Sequence, residues 1–173
     1  MLLVTVSVSG RTAGFTLTSP GMGEKLTKTE EYAGFGCDGK NISPELKWAD
    51  PPAGTKSYAV TVFDPDARNG AGWWHWLVFD IAASKRTLVR DAGNPDKKLA
   101  PEGSVQSLTG FGKSGFGGPC PPKGDKPHAY VFTIYALDTE KLEADEMNLP
   151  SEVMEQIQKH TIGKASCTSY YQR

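Results

Sequence analysis

Residues 128–137 read HAYVFTIYAL, and apolar or aromatic side chains stand at both alternating sets of positions. Successive side chains of a strand point to opposite faces, so this stretch is apolar on both of its faces. That pattern is typical of a central strand covered on both sides. One face would carry His128, Tyr130, Phe132 and Ile134, and the other Ala129, Val131, Thr133, Tyr135 and Leu137.

Five other stretches predict strands or extended segments: residues 15–17, 43–48, 57–63, 75–81 and 165–171. The third of them is rich in β-branched and aromatic residues. In the fourth of them, simple alternation places His75 on one face with Leu77, Phe79 and Ile81.

One late segment predicts a helix, with Ser151 as its N-cap and Gly163 just past its end. The 19 glycines and 12 prolines indicate many turns. Many short strands and a single helix predict a mainly β, antiparallel fold.

The length of 173 residues suits one domain spanning 1–173, with residues 1–14 as an N-terminal extension or edge strand. The net charge of −1 and the absence of a basic patch argue against nucleic acid as a partner. We expect no cofactor and no membrane span. The apolar run 2–8 is too short for an export signal, so the predicted location is the cytoplasm, with the periplasm or export as the alternative if a signal has been removed.

The three cysteines are Cys37, Cys120 and Cys167, and none is spaced as in structural zinc sites. We therefore expect no metal. Cys37 and Cys120 both lie in loops rich in glycine or proline. They either form a disulfide that closes a loop of about 80 residues or remain reduced and pack as small apolar groups.

Titratable side chains stand where irregular Pro/Gly segments meet predicted strands: Asp64, His75, His128 and Tyr130. If the strands are neighbours, these side chains converge on one polar cavity, with Trp73 as a wall. Two imidazoles and a phenol would supply N–H and O–H donors to an oxyanion. If a histidine is the charged donor, anion binding weakens as the pH rises past neutrality.

Two further observations bear on this site. Gly117 and Gly118 could offer free backbone N–H groups to an anion. Asp64 could instead be a turn residue that bonds nearby backbone N–H groups. For a hydrolase, Cys120 is the only nucleophile near the site by sequence and no GxSxG elbow occurs, so we expect no enzyme.

The segments DPDA (64–67), GWWHW (72–76) and PPKG (121–124) followed by HAY (128–130) resemble the phosphatidylethanolamine-binding protein family. The likeness is to its bacterial Raf-kinase-inhibitor-like YbhB/YbcL branch and covers about residues 15–172. It implies a large antiparallel sheet packed on a smaller one, with a C-terminal helix. Arg68 departs from the family pattern, which has proline there.

The resemblance also implies a non-enzymatic protein that binds a small anion such as phosphate, or the phosphoethanolamine head group of a phospholipid. An inhibitor of a kinase or protease, acting through its surface, is the alternative, and a homodimer is left open. The implied ligand-binding residues are Asp64, Trp73, His75, Gly118, Pro119, Cys120, Pro121, His128 and Tyr130.

Overall fold

The computed structural model describes residues 14–173. The predicted extension or edge strand of residues 1–14 therefore lies outside the described residues, apart from Gly14. The strands are β1 (Thr16–Thr18), β2 (Ala33–Gly34), β3 (Cys37–Asp38), β4 (Leu46–Ala49), β5 (Ser57–Asp64), β6 (Trp73–Ala82), β7 (Thr87–Leu88), β8 (Val105–Gln106), β9 (His128–Leu137) and β10 (Thr161–Tyr171). The helix α1 spans Pro150–His160, and two 3₁₀ turns span Ala67–Gly70 and Pro95–Lys97.

The predicted fold class is confirmed. A five-stranded sheet has the order β10-β9-β5-β6-β8, and a three-stranded sheet has the order β1-β4-β7. Both are antiparallel, and β2 and β3 form a separate hairpin. As predicted, β9 is an interior strand with apolar residues on both faces.

Two apolar cores cover the two faces of the large sheet. The first lies against the small sheet and includes Trp48 and Leu88 from that sheet and Phe132 from β9. The second lies against α1, where Ile157 packs with Leu77. Because neighbouring strands are antiparallel, the end of β5 and the starts of β6 and β9 meet at one end of the sheet.

Two extra residues in β6 break the simple alternation expected there. Val62 pairs with Trp76 but Phe63 pairs with Trp74, so His75 has no partner of its own in β5. Such a β-bulge turns two consecutive side chains toward the same face. His75 therefore shares the face of Trp76, in the first core, and not that of Leu77 as we expected.

A second bulge lies near Asp80, whose φ is +57°. It moves Ile81 into the first core, away from Leu77 and Phe79, and so also corrects the predicted face of Ile81. Alternation in a sequence cannot show a bulge, because the extra residue is defined only against the partner strand.

The helix ends also differ from the prediction. The N-cap is Leu149, not Ser151, because Pro150 occupies the first turn and the Glu152 carboxylate accepts the Leu149 N–H at 2.7 Å. The helix stops at His160, and Gly163 lies inside β10, where a Cβ would come within 2.4 Å of Pro52.

Candidate functional site

A cavity of about 350 Å³ opens at the end of the large sheet where β5, β6 and β9 meet. It brings together seven of the nine predicted ligand-binding residues: Asp64, Trp73, His75, Cys120, Pro121, His128 and Tyr130. Gly118 and Pro119 do not line it. The bottom of the cavity is polar and buried, since Asp64, His75, His128 and Tyr130 are each less than 5% exposed.

Asp64 organises the floor of the cavity. Its Oδ1 accepts the backbone N–H groups of Asp66 and Ala67 at 2.9 and 3.0 Å. Its Oδ2 lies 2.8 Å from Nδ1 of His128. The sequence allowed two roles for Asp64, a turn residue or the partner of a histidine. Asp64 has both roles, because Oδ1 accepts the backbone N–H groups of the turn and Oδ2 faces His128.

The His128 ring lies between two carboxylates. Nδ1 faces Asp64, and Nε2 lies 3.4 Å from Oδ2 of Asp125. The first contact is a good hydrogen-bond length, while the second is longer than the usual 2.7–3.2 Å. Nδ1 of His128 is therefore used by Asp64, and Nε2 is the ring nitrogen that remains available to a ligand.

His75 is held by the loop that crosses over it. Its Nδ1 donates to the Gly117 carbonyl at 2.6 Å, and the Gly117 N–H donates to the His75 carbonyl at 2.8 Å. Burial lowers the pKa of His75 to about 4, so the ring is neutral at pH 7. Nε2 is then an acceptor, which differs from the expectation that both imidazoles donate to an anion.

We expect acid to destabilise the fold through His75. Its pKa is about 4 in the folded chain and 6.5 when unperturbed, so the unfolded state takes up the proton first. The contribution of neutral His75 to the free energy of unfolding is fully present above pH 6.5. It decreases as the pH falls, by about 3 kcal/mol at pH 4. Urea unfolding at pH 7 and pH 4 measures this loss.

The matched variant is His75→Gln, which cannot titrate in this range. Between pH 7 and pH 4, its free energy of unfolding should fall by about 3 kcal/mol less than that of the wild type. An equal loss in both proteins would show that other groups cause the acid sensitivity.

Tyr130 is the fourth of the buried polar residues at the bottom of the cavity. Its side chain is 1% exposed, and among residues 14–173 its hydroxyl has no hydrogen-bond partner. Burial, and then the nearby Asp64 charge, raises the pKa of Tyr130 above its usual range. The hydroxyl therefore stays protonated and can donate.

The glycine loop does not offer the free N–H groups that we expected. Gly117 N–H is bonded to His75, and Gly118 N–H donates to Oδ1 of Asn41 at 2.7 Å. Gly118 is required instead for close packing, because a Cβ there would lie 1.7 Å from the Glu30 carbonyl oxygen.

Aromatic side chains from distant loops form a rim that the sequence did not predict. Phe111 packs edge-on against Trp73 and His75, with ring centroids 5.6 and 5.4 Å apart. Phe35 stacks on Phe111 at 5.9 Å and is 71% exposed. In the sequence, only the glycines on either side of these phenylalanines indicated that the loops are structured.

A disulfide joins Cys37 to Cys120, 83 residues apart in sequence. Cys120 lines the cavity, and Cys37 belongs to the hairpin that carries Phe35 at its turn. The disulfide thus links this part of the rim to the loop of residues 118–124. Cys167 is a free thiol.

Arg68 contributes a cation to the rim. Its guanidinium lies over the Trp73 ring, 5.7 Å from the centroid. The backbone at Arg68 has φ +52°, a conformation that the proline ring, fixed near −65°, does not allow. The loop therefore adopts a shape that the proline of the family pattern would forbid.

Within residues 14–173, no three His, Cys, Asp or Glu side chains are grouped so as to hold a metal ion. No helix in this part of the chain is long and apolar enough to cross a membrane.

Comparisons with known proteins agree with the fold. The family profile described as phosphatidylethanolamine-binding protein matches residues 18–172. The UPF0098 protein YbcL of Escherichia coli is 46% identical, over 99% of this chain and 94% of its own length. The UPF0098 protein YbhB of the same organism is 44% identical, over 86% of this chain and 93% of its own.

A solved structure is also similar. The crystal structure of Escherichia coli YbcL, described as a member of the mammalian PEBP family, superimposes with a TM-score of 0.90 at 47% identity. The superposition covers 93% of this chain and 99% of that one.

Proposed function

Because the chain belongs to the phosphatidylethanolamine-binding protein family, we propose that it binds a small phosphorylated anion in the cavity between β5, β6 and β9, without enzymatic turnover. The ligand would be phosphate or the phosphoethanolamine head group of a phospholipid. The observation that carries the proposal is the buried Tyr130 hydroxyl, which has no partner among the described residues. Leaving such a donor unpaired costs about 1–3 kcal/mol, which a ligand oxygen would recover.

The polar groups of the floor suit a partly protonated oxyanion. Tyr130 O–H can donate, neutral His75 accepts at Nε2, and Nε2 of His128 also remains available. A phosphate monoester that retains one proton has both acceptor oxygens and an O–H. Arg68 at the rim adds a positive charge.

We expect Tyr130→Phe to weaken the binding of inorganic phosphate and of phosphoethanolamine by at least about tenfold. The variant removes only the hydroxyl, and a hydrogen bond to a charged group is worth about 1.5–3 kcal/mol. Isothermal titration calorimetry at millimolar ligand measures both affinities.

Tyr135→Phe is the control, because Tyr135 lies on the same strand and packs on the opposite face, toward the helix. It should bind like the wild type. Absence of saturable binding by the wild type, or equal losses in the two variants, would contradict the proposal.

The disulfide supports our proposal that the protein binds its ligand without enzymatic turnover. The sulfur of Cys120, the candidate nucleophile of the hydrolase hypothesis, is bonded to Cys37 and offers no thiolate. A screen for phosphomonoester and ester hydrolysis should therefore show no activity above that of His75→Ala. Inhibition of a kinase or protease stays a prediction that rests on the resemblance alone.

The disulfide also favours export over the cytoplasm in our proposal, because thiols are kept reduced in the cytosol of most organisms. Alkylation in denaturant, where the partly buried Cys167 also reacts, of protein taken directly from its cells tests this. One blocked thiol per chain is expected for the exported protein, and three for the cytoplasmic one.

A further inference from the structure

The chain has four asparagines, and only Asn69 precedes a glycine. The following residue matters because its backbone nitrogen can attack the carbon of the asparagine side-chain amide. Gly70 has no side chain to hinder that attack. Asn69 is exposed and lines the rim of the cavity beside Arg68, so a chemical change of this side chain would alter the rim.

The other three asparagines are protected by their surroundings. Asn41 accepts the Gly118 N–H at 2.7 Å and donates to the Phe116 carbonyl at 2.9 Å. The amide of Asn148 likewise accepts one hydrogen bond and donates another. Asn94 precedes a proline, whose nitrogen carries no hydrogen and cannot attack. These side chains are therefore either fixed by their partners or lack the attacking nitrogen.

The backbone around Asn69 has room to reach the reactive arrangement. Asn69 has φ +56° and ψ +37°, so the chain must rotate about ψ before the Gly70 nitrogen faces the side-chain carbon. Residues 68–71 are all exposed, and nothing lies within 4 Å of the position that a Cβ of Gly70 would take. Gly72 is packed closely against Phe63, so the rotation is confined to a short segment that is not packed.

We propose that Asn69 deamidates spontaneously and that the new carboxylate weakens anion binding in the cavity. The Gly70 nitrogen loses its proton to a base of the solvent and bonds to Cγ of Asn69, and the amide nitrogen leaves as ammonia. The cyclic imide then takes up one water molecule and opens to an aspartyl or an isoaspartyl residue. The only co-reactant is water.

The new carboxylate would stand beside the cation of the rim. The Arg68 guanidinium lies over Trp73, 5.7 Å from the ring centroid, and both residues line the cavity together with Asn69. A negative charge at position 69 lowers the positive potential at the mouth of the cavity and repels an anion. This effect on binding rests on the proposed function, whereas the deamidation itself does not.

The first experiment follows the chemistry in the folded protein. The protein is incubated at 37 °C at pH 8.5 and at pH 5, digested with pepsin and analysed by mass spectrometry. Asn69 should lose its amide at least about tenfold faster than Asn148, because glycine leaves the attacking nitrogen unhindered. The reaction should be faster at pH 8.5, since that nitrogen must lose its proton. Asn69→Gln is the control, because its longer side chain would have to close a larger ring.

The second experiment isolates the charge. Calorimetry measures the binding of inorganic phosphate to Asn69→Asp and to the uncharged Asn69→Gln. At low ionic strength we expect Asn69→Asp to bind about two- to fivefold more weakly, the effect of one exposed charge. The difference should shrink at high salt, because salt screens exposed charges. Incubation at pH 8.5 should weaken phosphate binding by the wild type but not by Asn69→Gln.

Three results would count against the inference. If Asn69 loses its amide no faster than Asn148, the deamidation is overturned. If Asn69→Asp and Asn69→Gln bind phosphate equally at low ionic strength, the effect on binding is overturned while the proposed function stands. If the wild type binds no phosphate, the proposed function fails and the effect on binding fails with it, whereas the first experiment still decides the deamidation.

Discussion

Loss of the Cys37–Cys120 disulfide is expected to lower the free energy of unfolding by about 4–5 kcal/mol. The two residues are 83 positions apart, and a cross-link over such a loop removes much of the conformational freedom of the unfolded chain. We would measure urea unfolding of the double variant Cys37→Ala and Cys120→Ala by tryptophan fluorescence.

The control for this experiment is Cys167→Ala. Cys167 is a free thiol, and burial raises its pKa to about 11, so it stays un-ionised and unreactive at pH 7. Its replacement should cost much less than the loss of the disulfide. If the double variant is within 1 kcal/mol of Cys167→Ala, the disulfide does not stabilise the fold in the way we infer.

Loss of the disulfide should also weaken ligand binding in the cavity. Cys120 lines it, and the hairpin that Cys37 anchors carries Phe35 on the rim. Ligands that contact the rim should therefore bind the double variant more weakly even under conditions where it stays folded. Inorganic phosphate, which needs only the floor, should be affected least.

Asp64→Ala is expected to cost about 3–5 kcal/mol, because each buried donor left without an acceptor costs about 1–3 kcal/mol. Three donors lose their acceptor at once: Nδ1 of His128 and the backbone N–H groups of Asp66 and Ala67. Asp64 and His128 are 2% and 4% exposed, so water cannot replace the lost bonds without rearrangement. Urea unfolding at pH 7 measures the change.

Asp64→Asn separates the two roles of the side chain. Its carbonyl oxygen can still accept the two backbone N–H groups, so the loss should be less than half of that of Asp64→Ala. Asp50→Asn serves as the surface control, because asparagine tolerates the φ of +54° at this exposed position. An Asp64→Ala variant that unfolds within 1 kcal/mol of the wild type would show that the floor of the cavity does not depend on this carboxylate.

The strands and the family were predictable because the patterns that encode them are local. Alternation over 128–137 predicted an interior strand with His128 and Tyr130 on one face, and the structure has both. Asp64 and His128 were recognisable because each stands at a strand end beside a proline segment. Three ordered motifs then indicated the family, which the comparisons confirm.

The features that define the cavity depend on contacts between distant residues. The face of His75 follows from a bulge against β5, and the Gly118 N–H is used by Asn41, 77 residues away. Phe35 and Phe111 meet only because separate loops pack together.

The sequence by itself thus determined the type of fold, the family and the polar side chains at the strand ends. Only the tertiary structure decided which of their donors and acceptors remain available, and that Asp125 faces His128. The physical reason is that a strand pattern records which side of the chain is buried. The partner of each polar group is instead selected by competition among all groups that folding brings within hydrogen-bond distance.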